Sequence, residues 1–398
     1  MNQSNTKLIN NFLDSRIEQI INKKSLLAKL KSGRKLIIKH GIDPTTSDLH
    51  LGYAVVYHKL RALQDMGHTV VFLIGGFTAR FGDPTDKKST RELRDKTSVE
   101  KLAKNYINQA LKILDPQKTE IRYNSEWYDK MSAEELLQLM SKFTYAQMME
   151  RDMFKKRVKQ KQEIGLHEPV YPVLQGYDSV MLKSDITVIG TDQLFNEMRG
   201  RDLQRDFKQA PQDIVTVSLL IGLDGKNKMS QSLGNDILIT ESADGQFGKI
   251  MSLPDKLIMH YWKLATNLPM EEIEKIDKRL QQKTINPRDI KMELAQKIVE
   301  IYHGSAVSKR AYDNFIRVFQ KHQIPKNLAT ITYPRKQIGI VDFLVESKLV
   351  SSKSEARRMI MQRAVKVNQE LIHDPYWQLT TARGVIVQVG KRRFIKIK

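Results

Sequence analysis

Cysteine is absent from all 398 residues, so disulfides and thiolate metal sites are excluded. Long apolar runs are missing too. The longest, Val70–Gly75 and Val385–Val389, have the length of strands and fall far short of the roughly eighteen residues a membrane-crossing helix needs. The opening Met1–Leu13 is polar and lacks the basic-then-apolar layout of a signal peptide. Acidic residues are scarce: 45 Asp and Glu stand against 66 Lys and Arg, and the net charge of +21 points to a polyanionic partner. No internal repeat or low-complexity tract stands out. Together these features imply a cytoplasmic protein.

What is present is ample for folding. With 40% hydrophobic residues the chain can bury substantial cores, and its length implies two or three domains. The first thirty residues read as an amphipathic helix with basic flanks. Lys35–Ile42 reads as a buried strand, Leu51–Met66 as a helix ended by Gly67-His68, and Thr69–Ile74 as a second strand. A strand, helix, strand unit of this length requires parallel pairing with a right-handed crossover, so the fold class is α/β with a doubly wound parallel sheet. From about Lys96 to Lys161 the pattern is helical and charged, with Met148, Met149 and Met153 close together. Ile186–Gly190 returns to a strand and Val215–Leu223 is a further apolar segment. Residues 245–325 read as helices, Tyr333-Pro334-Arg335-Lys336 as a linker, and the last sixty residues as a helix pair followed by short strands.

Two segments carry phosphate chemistry. Asp43-Pro44-Thr45 ends the first strand, and Asp48-Leu49-His50-Leu51-Gly52-Tyr53 opens the following helix. His50 therefore sits at a helix N-terminus, where free N–H groups and the dipole favour an anion such as a triphosphate. Gly52 lacks a side chain and lets a flat base approach the backbone. Far downstream, Asp224-Gly225-Lys226-Asn227-Lys228-Met229-Ser230-Gln231-Ser232 is a turn and a Lys/Ser loop suited to gripping a leaving pyrophosphate. Each segment alone reads more readily as helix capping and packing or as a solvated basic loop. As an ordered pair they resemble the two signature motifs of class I aminoacyl-tRNA synthetases.

Three more segments narrow the resemblance to bacterial tyrosyl-tRNA synthetases: Phe77-Thr78-Ala79-Arg80-Phe81-Gly82-Asp83-Pro84, Tyr171-Pro172-Val173-Leu174-Gln175-Gly176-Tyr177-Asp178, and Gly190-Thr191-Asp192-Gln193. Tyr171, Gln175 and Asp178 are spaced to share one helix face, and Gly190–Gln193 ends a strand, where open α/β sheets bind ligands. The resemblance implies activation of L-tyrosine by ATP with Mg²⁺, then transfer of tyrosine to its transfer RNA. It implies that Asp178 accepts a hydrogen bond from the substrate phenol, an interaction for which tyrosyl enzymes are themselves the established example of specificity. Asp83, Tyr171 and Gln175 would hold the substrate ammonium with Thr78 nearby, and Gln193 would position the carboxyl end. Asp43, His50, Gly52, Tyr53, Gly190, Asp192, Lys228 and Met229 would contact ATP. His50, Lys228 and Ser230 would act on the triphosphate, with Lys87 and Arg91 on a loop closing over pyrophosphate. No protein-ligated metal is expected.

The tail carries twelve Lys and Arg against five Asp and Glu between residues 337 and 398. It resembles an S4-type RNA-binding module, with Lys353, Arg357, Arg358, Lys366, Lys391, Arg392 and Arg393 as the expected RNA contacts. By the resemblance, residues 1–235 form a Rossmann-like catalytic domain whose helical insertion at about 96–165 packs two subunits into a homodimer. Residues 236–330 form an all-helical domain on the anticodon side, 331–336 a linker, and 337–398 a small α+β S4-like domain. Four residues depart from the family pattern: Tyr53 stands for the second His of the first motif, Gln231 for the second Lys of the second, Gly76 for Asp, and Asp86 for Gly. These departures imply reduced or rewired catalysis. They also define the competing reading, a non-catalytic or weakly catalytic RNA-binding paralogue; a third reading is a paralogue that loads tyrosine onto another acceptor.

Overall fold

The structure is a computed structural model that describes residues 3–13, 16–44, 48–84, 94–282, 285–320, 328–390 and 393–398. Its larger compact unit spans residues 1–309. Six strands, β1 (Ile17–Ile21), β2 (Ile37–Ile42), β3 (Thr69–Ile74), β4 (Thr119–Tyr123), β5 (Ile186–Gly190) and β6 (Asp213–Val217), form one sheet in the order β1-β6-β5-β2-β3-β4. β1 runs antiparallel to β6, and the other pairings are parallel. The buried runs in β3, β5 and β6 are what a sheet covered on both faces requires. From β2 the chain moves outward through β3 and β4, then returns to the other side of β2 as β5. The crevice beyond the carboxyl ends of β2 and β5 is therefore the topological switch point, where such sheets bind ligands.

Two expectations need correcting. The first thirty residues are not one helix: helices Gln3–Phe12 and Lys23–Lys31 flank the strand β1. Its β-branched Ile17, Ile20 and Ile21 pair along β6, and Asn22, at φ 66°, turns the chain into the next helix. The region read as helical from 96 to 161 contains β4, whose Thr-Glu-Ile-Arg-Tyr alternation suits a charged edge strand. Within the same region Met148 is buried against Leu139, Val173, Val180 and Leu203, whereas Met149 and Met153 are half-buried. The large apolar side chains it leaves exposed are Leu137, Tyr145 and Val158, with Leu166 just beyond it.

Helices cover the sheet, and the Leu51–Asp65 helix is buried along much of its circumference. The helices Ala243–Met251, Ile258–Ala265, Met270–Gln281 and Pro287–His303 follow β6 within this first unit. Among the described residues, no helix is long and apolar enough to cross a membrane.

The second unit spans residues 310–398. Five strands form a sheet in the order β10 (Glu370–Leu371), β9 (Val365–Val367), β12 (Ile386–Val389), β13 (Arg393–Ile397), β7 (Ala329–Ile331), and β8 (Gln337–Gly339) pairs with β11 (Gln378–Thr380). The segment 331–336, expected as a linker, joins β7 to β8 inside this unit, because β7 pairs with the C-terminal strand. The helices Ile340–Glu346 and Lys353–Met361 pack through Phe343, Leu344, Ala356 and Ile360 on a core that includes Val365, Val387 and Ile395.

Candidate active site

At the switch point lies a cavity of about 500 Å³. Thr78, Asp83, Tyr171, Gln175, Asp178 and Gln193 line it, as do Asp43, His50, Gly52, Tyr53, Gly190, Asp192, Lys228, Met229 and Ser230. Residues drawn from across nearly two hundred positions of sequence thus converge on one hollow. Lys87 and Arg91, and the departing Asp86, lie outside the described residues.

One end is a buried hydrogen-bonded network. Tyr171 opens the Tyr171–Leu182 helix with Pro172 in its first turn, and Asp178 sits two turns on, 4% exposed. Asp178 accepts from Trp127 Nε1 at 3.1 Å and from Asn124 Nδ2 at 3.4 Å. Burial pushes its carboxyl up to about 7, opposed by the charge of Lys39 and by the Asn124 and Trp127 donors. Asn124 also donates to Thr78 Oγ1 at 2.9 Å, and Thr78 donates to Asp43 Oδ1 at 2.8 Å. The second Asp43 oxygen accepts Tyr171 OH at 2.8 Å. Asp43, matched by resemblance to ATP contacts, is therefore bonded to two residues matched to the substrate ammonium. Gly75 is needed beside it, since a Cβ there would come within 1.8 Å of Asp43 Oδ1. Asp83 accepts from Gln193 Nε2 at 2.7 Å and pairs with Arg151 at 3.7 Å.

The other end is built from helix start and turn. His50 caps the Leu51–Asp65 helix, its Nδ1 accepting Gly52 N–H at 3.1 Å. Burial lowers His50 to about 4, so the ring is neutral near pH 7. With Nδ1 accepting, the proton resides on Nε2. The Tyr53 ring lies 4.5 Å from the His50 ring and also faces Tyr57 and Tyr106, so this departure is housed in an aromatic row.

The Lys/Ser segment is not a loose loop. Asp224 accepts the backbone N–H groups of Lys226 and Asn227, and Ile221 bridges Lys228 across the turn. Asn235, 3% exposed, ties the base of the turn by accepting Ser230 N–H at 2.8 Å and donating to Asp224 Oδ2 and Lys228 O. Lys228 Nζ lies 3.3 Å from Asp192 Oδ2. Gln231 Nε2 donates to Asp48 O at 2.8 Å, joining the second motif directly to the first. The backbone bonds Leu51 N to Ile237 O and Ile239 N to Leu49 O complete that junction.

Sequence reading missed Asn124, Trp127, Arg151 and Asn235. The first two follow β4, taken for helix, so the alternation of Thr119–Tyr123 was the signal that could have found them. Gly76 faces Ser125, whose Oγ a Cβ would meet at 2.7 Å; that crowding favours glycine over a larger residue there.

In the second unit Arg357, Arg358 and Lys366 are exposed, and Lys353 pairs with Asp342 at 2.8 Å. Arg393 is turned inward onto Leu349 O and Glu355, holding β13 against the Lys353–Met361 helix. Lys391 and Arg392 lie outside the described residues.

A sheet with this switch point, a capping His at the start of its first crossover helix and a Lys-Met-Ser turn docked on that start define a class I synthetase site. The family model for class I tRNA synthetases (W and Y) matches residues 31–320, and the chain belongs to that family. A model of the tyrosine–tRNA ligase SYY-like C-terminal domain matches residues 320–397. The tyrosine–tRNA ligase of Thermotoga maritima is 44% identical over 97% of this chain and 96% of its own length, and that of Colwellia psychrerythraea 46% over 96% of each. Among solved structures, a truncated mitochondrial tyrosyl-tRNA synthetase of Aspergillus nidulans shares the fold at a TM-score of 0.64, with 21% identity over 80% of this chain and 95% of that one. The tyrosyl-tRNA synthetase of Archaeoglobus fulgidus complexed with L-tyrosine does so at 0.62, with 18% identity over 77% and 99%. Within the class, the chain belongs with the tyrosyl-tRNA synthetases.

Proposed function

We propose that this chain activates L-tyrosine with ATP and transfers it to the 3′ end of its transfer RNA. The observation that carries the reading is Asp178: a carboxylate at the foot of the cavity, bonded by Asn124 and Trp127 and lining the space where a phenol O–H would donate. A buried acceptor left without that donor carries an unfavourable desolvation cost, so phenylalanine is disfavoured.

ATP enters as its Mg²⁺ complex, the metal carried by the phosphates. The tyrosine carboxylate attacks the α-phosphorus, the bond to the β-phosphate bridging oxygen breaks, and pyrophosphate leaves. The ribose hydroxyl of the transfer RNA then attacks the tyrosyl carbonyl and AMP departs. No side chain becomes covalently bonded, so catalysis is positioning and charge stabilisation. His50 Nε2–H and Lys228 are the donors for the phosphates, with Ser230 beside them and Lys87 and Arg91 assigned to the pyrophosphate by resemblance. Gly190, Asp192 and Met229 form the nucleoside side, with Gly52 and Tyr53. Gln231 supports the closed junction through Asp48 in place of a cation.

Exposed Leu137, Tyr145, Val158 and Leu166 support a homodimer built on the inserted region. Exposed Arg357, Arg358 and Lys366, with Lys353, support RNA binding by the tail. A cytoplasmic location fits this reaction. Tyrosine-dependent exchange of labelled pyrophosphate into ATP, followed by charging of the transfer RNA, tests the reading. Exchange without charging would point to a different acceptor, and RNA binding without exchange to the non-catalytic paralogue.

A further inference from the structure

Glu197 has no role in the assignments above. Its side chain is 1% exposed and pairs with the equally buried Lys39 at 2.9 Å. Desolvating two charges offsets their attraction, so such a pair has little stabilising value of its own. Its geometry gives it another use. Glu197 Oε2 also accepts Gln212 Nε2 at 2.8 Å, and Oε1 accepts Gln175 Nε2 at 2.8 Å. Lys39 Nζ is held in addition by Ser179 Oγ at 2.7 Å and by the Gln175 carbonyl oxygen of the main chain at 3.3 Å.

An ionised carboxylate only accepts, whereas an amide has one donor end and one acceptor end. Gln175 must therefore give its NH₂ to Glu197, and its Oε1 faces the other way, accepting Asn196 Nδ2 at 2.7 Å. The same Asn196 nitrogen donates to Gln193 Oε1 at 3.0 Å. That leaves the Gln193 NH₂ pointing at Asp83 Oδ2, at 2.7 Å. Each amide's orientation is thus set by its neighbour from the ion pair to the cavity, with the Asn196 NH₂ donating to both glutamine oxygens at the centre. A zwitterionic amino acid needs an acceptor for its ammonium and a donor for its carboxylate, and the chain offers the Gln175 carbonyl and the Gln193 NH₂.

We infer that Glu197, paired with Lys39, is a positioning residue that fixes the polarity of the Gln175 and Gln193 amides for a zwitterionic α-amino acid. The inference rests on the proposed reading of the cavity as the tyrosine site. Glu197→Gln keeps the shape but can donate as well as accept, so Gln175 gains a second orientation.

The test is tyrosine-dependent pyrophosphate exchange by the full chain. For Glu197→Gln the expected result is a KM for tyrosine raised about tenfold, the worth of one misdirected hydrogen bond, with KM for ATP within about twofold of wild type. The double variant Glu197→Gln, Gln175→Glu moves the carboxylate to position 175, where either oxygen accepts, and should return the tyrosine KM to within about threefold of wild type. An unchanged tyrosine KM in the single variant, an equal rise for ATP, or a double variant no better than the single would overturn the role. If thermal melts show the single variant unfolded, the double variant decides by its own tyrosine KM; if neither folds, the pair is structural and the inference falls. Wild-type exchange that ignores tyrosine would instead sink the reading of the cavity.

Discussion

At the end of the cavity proposed for tyrosine, Asp178, Asp43 and Asp83 each have partners at hydrogen-bond distance, drawn from the Tyr171 helix and from the segments after β3, β4 and β5. At the phosphate end the groups are a neutral His50, a Lys228 already beside Asp192, and a Gln231 spent on a main-chain oxygen. The first end is a desolvated network in which each member is positioned by the next; the second relies on a helix start and a stapled turn. A single change is therefore expected to have its greatest effect in the first end, whereas Tyr53 and Gln231 are held in the second by an aromatic neighbour and a main-chain oxygen.

Removing the network's centre should have the largest effect. Asp178→Ala leaves the Asn124 and Trp127 donors unpaired and should lower tyrosine kcat/KM by on the order of a hundredfold or more, about 3 kcal/mol, in pyrophosphate exchange. Lys228→Ala should lower kcat by on the order of a hundredfold with the tyrosine KM unchanged, because it acts on developing phosphate charge. Position 231 separates the two ends further. Gln231→Lys exchanges a neutral bond of about 1 kcal/mol for a charge-assisted one of about 1.5–3 kcal/mol, and should raise the exchange kcat up to about tenfold. A drop in kcat would mean that the contact with Asp48 matters more than the missing cation.

Acidity probes the tyrosine end alone. The Asp178 carboxyl is raised to about 7 by burial, and a phenol donor favours its ionised form. Tyrosine binding should thus weaken as pH falls through 7, by up to roughly eightfold between pH 7.5 and 6 in calorimetry, and Asp178→Asn should abolish that dependence. The same raised carboxyl makes the ligand-free fold lose stability as pH rises from the ordinary Asp range toward 7. The smallest effect belongs to the tail: Arg357→Ala with Arg358→Ala should weaken transfer RNA binding several-fold and reduce the salt slope by about two.

Much of this site was legible because its residues sit at strand ends and helix starts, whose signals are local. His50 capping its helix, Pro172 in the first turn, and the Tyr171, Gln175, Asp178 spacing all follow from short stretches of chain. What escaped were contacts set by sheet order. β4 was hidden in a charged helical pattern, and with it Asn124 and Trp127, more than fifty residues from the carboxylate they hold. β1 was lost because a five-residue edge strand between two helices depends on β6 for its pairing. The Glu197–Lys39 pair was invisible for the same reason: neither residue has a local pattern, and only the juxtaposition of β2 with the helix after β5 brings them together.

The ratio of tyrosine to phenylalanine kcat/KM in pyrophosphate exchange, measured for wild type and Asp178→Asn, decides whether the Asp178 network selects the substrate. Wild type should show a large ratio that collapses by on the order of a hundredfold in the variant, mostly through loss of tyrosine activity. A ratio that survives the substitution would contradict this, since selection would then reside somewhere other than the Asp178 network.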